Sequence, residues 1–353
     1  MKKLLCCFCL IFFLSCTGET EIISPGQEKS NTNEELAAIR GYQDYFIEDF
    51  RCGVFIPPSY DPGHAYPLII RLHGYSDTTS WNLIYYNEPI VSLDPAIVLT
   101  PKCPVTEPAG WGNSWNESIS PMLAKTYEMI DLIMSTFNTD DSRIYIFGTS
   151  MGGYGTYAAI RHTPDLFAAA YSAAGGGSTN YANLVAAIPF WIFHGEIDNT
   201  VPVRYSREMY EAVIQLGGEQ IRYTEYEGVA HNVWDYTGQE QTISIWLMAQ
   251  KKGSTHSSPS VSIDPHYSLE QGGVLLSWTA SAVFPATSDD DIWYVEILRD
   301  GELLAEINSD NSTYLDPDVE KGMNYEYQIT GVNYFFKRGQ TENIFIEVPL
   351  DED

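Results

Sequence analysis

The chain has 353 residues, 44% hydrophobic and 13% aromatic. That is too long for one ordinary domain and rich enough for real cores, so two domains are expected and wholesale disorder is excluded. With 47 Asp and Glu against 19 Lys and Arg the formal charge is −28, which repels nucleic-acid phosphates and anionic headgroups and disfavours anionic polymers as substrates.

The amino terminus reads as an export signal. Lys2 and Lys3 precede an apolar run over residues 4–14 that is too short to span a bilayer, and the small residues Ser15 and Cys16 follow. Phe13-Leu14-Ser15-Cys16 resembles a lipobox, although Phe13 departs from the usual aliphatic residue. Residues 1–16 are therefore read as a signal with Cys16 as lipid anchor, and cleavage without lipidation is the alternative. The expected location is the cell envelope of a bacterium, with membrane contact only through the lipidated terminus. Residues 17–40 are polar and read as a tether. Four of the six cysteines lie in the signal, which leaves Cys52 and Cys103. Two buried thiols is the favoured reading of that pair, and a disulfide is the alternative. No CxxC or HxxxH spacing suggests a metal site, and no cofactor is expected.

From Gln43 onward strand and helix alternate. Strand signals cover 45–56, 68–72, 97–100, 143–147, 167–172, 190–194 and 221–226. The later ones are short apolar runs without alternation, as parallel strands covered on both faces require. Ser120-Pro121 supplies an N-cap and a proline at the first helical position, with Met122, Met129, Ile130, Ile133 and Phe137 at helical spacing behind it. Pro202 opens a helix that Gly217-Gly218 closes, and a last helix runs over 239–250. An α/β domain over 41–252 follows, built on a doubly wound, mostly parallel sheet with ligands at the strands' carboxyl ends.

Residues 253–259 read as a linker, and 260–353 are all strand and turn. The spacing fits an all-β sandwich of about seven strands in about 100 residues. It resembles a fibronectin type III domain, with Trp278 as core tryptophan and Tyr325 or Tyr327 near a tyrosine corner.

Chemistry concentrates in four places. Gly148-Thr149-Ser150-Met151-Gly152 is a G-x-S-x-G element between a strand and a helix read over 151–161, which sets Ser150 on a sharp turn at a helix N-terminus. A serine nucleophile needs a base, and the base an orienting acid, in chain order serine, acid, histidine. Asp198 lies just past the strand 190–194, with Glu196 as the competing carboxylate, and His231 lies on the loop after the next strand. His73-Gly74-Tyr75 ends the strand 68–72, so the amides of Tyr75 and Met151 are the expected oxyanion hole. His194 is assigned to packing or a hydrogen bond beneath the acid turn. On the loop after 97–100, Trp115 first and Trp111 second are candidates to stack a sugar or aromatic acyl group, or else to anchor the loop.

Tyr66-Pro67-Leu68-Ile69-Ile70, His73-Gly74, Pro101-Lys102-Cys103-Pro104, Gly148-Thr149-Ser150-Met151-Gly152-Gly153-Tyr154-Gly155, His194-Gly195-Glu196-Ile197-Asp198-Asn199-Thr200-Val201-Pro202 and Gly228-Val229-Ala230-His231 together resemble the bacterial esterase/"predicted peptidase" family of α/β hydrolases. That family is close to polyhydroxybutyrate-depolymerase-like and feruloyl esterases, and more distantly to prolyl oligopeptidases. The resemblance covers residues 43–251 and implies Ser150, Asp198 and His231 as triad with a Tyr75/Met151 oxyanion hole. The implied function is an exported serine esterase working through an acyl-enzyme, on a small ester or a glycan ester such as an acetyl or feruloyl decoration of plant glycans. A prolyl oligopeptidase-type serine peptidase is the rival, although the chain has no propeller. A non-catalytic glycan binder on a hydrolase scaffold is the third reading, and no triad member is missing to favour it.

Overall fold

The computed structural model describes residues 39–75, 94–237, 241–260, 263–270, 273–279, 288–309 and 311–350. The expected signal, Cys16, nearly all of the tether, and Ser76-Asp77 after the His73 turn lie outside the described residues. The chain divides into two units, Met1–Gly253 and Ser254–Asp353.

The first unit is built on one eight-stranded sheet in the order β1-β2-β4-β3-β5-β6-β7-β8. The segment 45–56, read as a single strand, is a hairpin of β1 (Gly41–Ile47) and β2 (Phe50–Ile56). Glu48 adopts a left-handed φ of 53° at its turn, and Arg51 donates to both carboxylate oxygens of Asp44 across the pair, at 2.8 and 2.7 Å. Local alternation alone does not reveal a two-residue reversal inside an apolar run.

β2 pairs antiparallel with β4 (Ile97–Pro101). The remaining pairings, through β3 (Tyr66–Leu72), β5 (Thr139–Thr149), β6 (Ala169–Ala173), β7 (Phe190–Gly195) and β8 (Ile221–Tyr226), are parallel. Every residue of β3, β4, β6 and β7 is buried, which explains their unbroken apolar runs. The longer helices among the described residues are α1 (Pro121–Thr136), α2 (Met151–His162), α3 (Arg204–Gln215) and α4 (Gln241–Ala249). Ser120 caps α1 by accepting from the Leu123 amide, with Pro121 at the first turn. Gly217, at φ 76°, turns the chain out of α3.

From β3 the chain passes to β4 on one side and later returns to β5 on the other. The carboxyl ends of β3 and β5 are therefore neighbours, Leu72 opposite Gly148, at the point where the winding reverses and where sheets of this kind hold ligands.

The second unit is an all-β sandwich. One sheet has the order β13-β10-β9, from β9 (His266–Glu270), β10 (Gly273–Ser277) and β13 (Thr313–Asp316). The other has the order β12-β11-β14-β15, from β11 (Ile292–Arg299), β12 (Glu302–Asn308), β14 (Asn324–Asn333) and β15 (Arg338–Glu347). All pairings are antiparallel, and both sheets feed one core that includes Leu276, Trp278, Val295, Ile297, Tyr327 and Ile329. Of the two corner candidates, Tyr325 accepts from the Glu320 amide five residues upstream, whereas the buried Tyr327 donates to Asp316, which also accepts from Arg299. Within the segment read as linker, Ser257 donates to Asp289 and its carbonyl accepts from Asn333, so this stretch is tied to the sandwich.

Each unit has its own buried apolar core. Lys252 still donates to the Ser142 carbonyl of the first unit, so a cut belongs after Gly253. Residues 33–253 alone should fold and melt in one cooperative transition by circular dichroism. A broad, non-cooperative melt would show that the first core depends on the second unit.

Candidate active site

Only Ser150 separates β5 from α2, and its backbone is forced to φ 53° and ψ −115°. Such a conformation costs a non-glycine residue about 1–3 kcal/mol and persists only where the surroundings over-determine it. Three glycines do so. A Cβ at 148 would lie 2.3 Å from the Gly152 carbonyl oxygen, one at 152 would lie 2.0 Å from that of Leu72, and one at 153 would meet the Gly175 Cα at 2.8 Å. The Ser150 amide donates to the Ala173 carbonyl at 2.8 Å, pinning the turn to β6. The Ser150 side chain is thus presented at the first turn of α2, where the Met151 amide has no intrahelical acceptor.

Asp198 follows β7 and its side chain is fully buried. Its Oδ1 accepts from the amides of Thr200 (2.8 Å) and Val201 (2.9 Å), and its Oδ2 accepts from His231 Nδ1 at 2.7 Å. With the proton on Nδ1, His231 Nε2 accepts the Ser150 hydroxyl at 2.9 Å. Burial pushes the Asp198 carboxyl up, but the His231 ring and the two amides outweigh it and leave it below the ordinary carboxylate range. The acid and histidine loops are knitted together. A Cβ on Gly195 would lie 2.2 Å from the Ala230 carbonyl oxygen, and the amides of Glu196 and Ile197 donate to Tyr226 and Val229. Glu196, the rival carboxylate, is exposed and accepts from the Gly228 amide at 2.9 Å, so it braces the histidine loop rather than touching His231. Beside His231 stands Trp234, ring centroids 5.3 Å apart and planes at 89°. No motif in the sequence marks this tryptophan.

His73 holds the facing turn. Its Nε2 accepts from the Cys103 amide at 3.0 Å, so the ring proton sits on Nδ1 and is donated to the Gly74 carbonyl at 2.7 Å. A Cβ on Gly74 would come within 3.7 Å of the Ser150 Cβ, which brings the 73–75 turn alongside the serine, with the Tyr75 side chain exposed. Cys52 and Cys103 are free and buried, and burial pushes the Cys103 thiol up to about 12, which leaves it unreactive.

The two loop tryptophans part company. Trp111 is 0% exposed, its Nε1 donates to the His73 carbonyl at 2.9 Å, and its Cβ fills the space over Gly155. It cannot line a subsite, and that expectation is corrected: it is the anchor of its loop. Trp115 is 45% exposed and lies against Tyr154 of α2 and Tyr205 of α3, at 5.9 and 5.3 Å between ring centroids. The loop is braced by Asn113, which accepts from the Trp115 and Asn116 amides, by Arg161, which donates to the Ser114 and Asn116 carbonyls, and by Ser114, which accepts from the Ser178 amide. Gly176 has no side chain where Tyr154 and Tyr205 meet. Sequence reasoning missed both tyrosines, although Tyr154 lies one helical turn beyond Ser150 and was within reach of it.

Two glycines near Ser150 should separate folding from room at the site. Gly152→Ala drives a Cβ into backbone and should lower stability by about 1–3 kcal/mol or more. Gly74→Ala meets only ordinary contacts and should melt near the wild type. Thermal melts in the reverse order would mean that the turn is not packed in this way.

Residues 45–191 match the model of the Esterase family, described as "Putative esterase". Among curated proteins, feruloyl esterase B of Talaromyces stipitatus is 28% identical over 128 residues, 33% of this chain and 34% of that protein. Among solved structures, a thermostable esterase superposes with a TM-score of 0.53 at 31% identity, covering 60% of this chain and 63% of that one. The chain thus spans 34% of the curated relative's length and 63% of the solved esterase's. The eight-stranded sheet gives the first unit an α/β-hydrolase fold, and over residues 45–191 the chain is similar to esterases.

Proposed function

We propose that this protein is a serine esterase that cleaves carboxylic esters through an acyl-enzyme on Ser150. The observation that carries this reading is the unbroken relay from Ser150 Oγ to His231 Nε2 (2.9 Å) and from His231 Nδ1 to Asp198 Oδ2 (2.7 Å), mounted on a strained strand-to-helix turn. His231 takes the hydroxyl proton as Oγ bonds to the ester carbonyl carbon, and Asp198 stabilises the imidazolium that forms. The oxyanion is held by the amides of Met151 and Tyr75. The tetrahedral species collapses, the ester C–O bond breaks, and His231 returns the proton to the departing alkoxide. Water then repeats the sequence on the acyl-enzyme and frees the acid.

For the substrate we infer acetyl or feruloyl esters on plant glycans. The Trp115, Tyr154 and Tyr205 rings offer flat apolar faces of the kind that stack on a sugar or an aromatic acyl group. A curated relative is a feruloyl esterase by name, and the charge of −28 disfavours anionic polymers. Export to the cell envelope, anchored at Cys16, is part of the same proposal and rests on residues 1–16.

Ser150→Ala should lower hydrolysis of p-nitrophenyl acetate by roughly 10³-fold or more while keeping the fold. A fluorophosphonate should label the wild type at Ser150. Labelling of another serine would refute the assignment. Asp198→Asn should cost about 10⁴-fold because the histidine loses the partner that fixes its tautomer, whereas Glu196→Gln should keep most of the rate. The opposite ranking would move the acid by two residues.

Trp115→Ala should weaken kcat/KM for methyl ferulate or acetylated xylan by about tenfold and leave p-nitrophenyl acetate nearly unchanged. Equal losses on both would return Trp115 to a packing role. Faster cleavage of a prolyl peptide than of any ester would replace the esterase with a peptidase.

A further inference from the structure

A second histidine stands on the acid. His194 is wholly buried near the end of β7, with Nε2 3.0 Å from the Val201 carbonyl oxygen and 3.3 Å from Asp198 Oδ2, and Nδ1 2.7 Å from Ser206 Oγ on α3. Both groups that face Nε2 are acceptors without a proton, so Nε2 carries the ring proton and shares it between them. The Ser206 hydroxyl then donates to Nδ1. The titratable groups around this ring are Asp198, His231 across the carboxylate, and Glu225, which pairs with His194 in register on β8. Burial holds the imidazole below its ordinary range against the pull of the Val201 carbonyl and Asp198, so the ring is a neutral donor.

The count of donors on Asp198 is telling. An ionised carboxylate has about four acceptor sites. Oδ1 takes the Thr200 and Val201 amides, and Oδ2 takes His231 and faces His194 Nε2 at 3.3 Å. His194 and His231 therefore draw on the same oxygen.

We propose that His194 is a positioning residue for the acid, whose Nε2–H steadies Asp198 Oδ2 and sets how much of its charge is left for His231. This rests on the esterase reading above. With that donor removed, Oδ2 is freer to swing and offers more of its charge to His231. The base then stays protonated to higher pH, so the acidic limb of kcat/KM moves up.

The test uses the full chain. His194→Asn can still reach Ser206 but not Asp198, whereas His194→Gln extends an N–H to the position of Nε2. On p-nitrophenyl acetate, His194→Asn should lower kcat about tenfold with KM little changed, and should move the acidic limb upward. His194→Gln should bring the limb back to its wild-type position and recover most of the rate. Ser206→Ala should move the limb the same way by less, because a ring that accepts no bond at Nδ1 is a weaker donor at Nε2. The rate of Ser150 labelling by a fluorophosphonate, measured against pH, should follow the same order. A folded His194→Asn with an unmoved limb, or Asn and Gln variants that behave alike, overturns the proposal. If His194→Asn does not fold, an unmoved limb in Ser206→Ala does so. An active wild type with unmoved limbs sinks this inference alone, and a wild type that neither hydrolyses esters nor takes the label sinks the esterase reading with it.

Discussion

The site depends on backbone packed directly on backbone where β3, β5 and α2 meet. Gly152 rests against the Leu72 carbonyl and Gly148 against that of Gly152, with no room for a side chain at either position. Because Leu72 and Gly148 are also partners in the sheet, this contact sets the height of the serine turn relative to the His73 turn. The strained conformation of Ser150 persists since its amide is bonded to β6 and both flanks are blocked. Loosening any of these contacts would let the turn relax and withdraw the hydroxyl from His231.

A similar economy operates at the acid. Gly195 allows the loop carrying His231 to lie against the end of β7, and backbone hydrogen bonds from Glu196 and Ile197 hold it there. The chain as a whole is strongly acidic, yet the Asp198 carboxylate is buried and met by N–H donors on both oxygens. Inside a low-dielectric pocket such local bonds outweigh the distant, screened surface charge. Asp198 can therefore stay ionised within an acidic protein.

The loop after β4 shows how four residues of separation reverse a fate. Trp111 is drawn inward by the vacant Cβ position of Gly155 and by a carbonyl that accepts its indole N–H, so it buries a polar atom with a partner. Trp115 has no such slot and stays half-exposed against two tyrosines brought by different helices. One tryptophan fixes the loop so that the other can be offered to solvent.

How much of this was legible without coordinates follows from the range of the forces involved. The strands of β3 to β8, the cap at Ser120 and the serine turn were readable in the sequence, because each depends on residues within a few positions of one another, and the order of serine, acid and histidine was readable from the strand that each residue follows. The choice of Asp198 over Glu196 was also readable as a matter of turn geometry, and the all-β character of the second unit followed from its spacing. The hairpin inside 45–56, the burial of Trp111, the rings of Tyr154 and Tyr205 beside Trp115 and the Trp234 ring on His231 were decided only by the tertiary structure, which also chose hydrogen bonding over mere packing for His194 beneath the acid turn. The places of Trp111, Trp115 and the two tyrosines are set by which distant elements the sheet order makes neighbours, and a space left by a glycine 44 residues away, as Gly155 is from Trp111, leaves no trace in the local pattern.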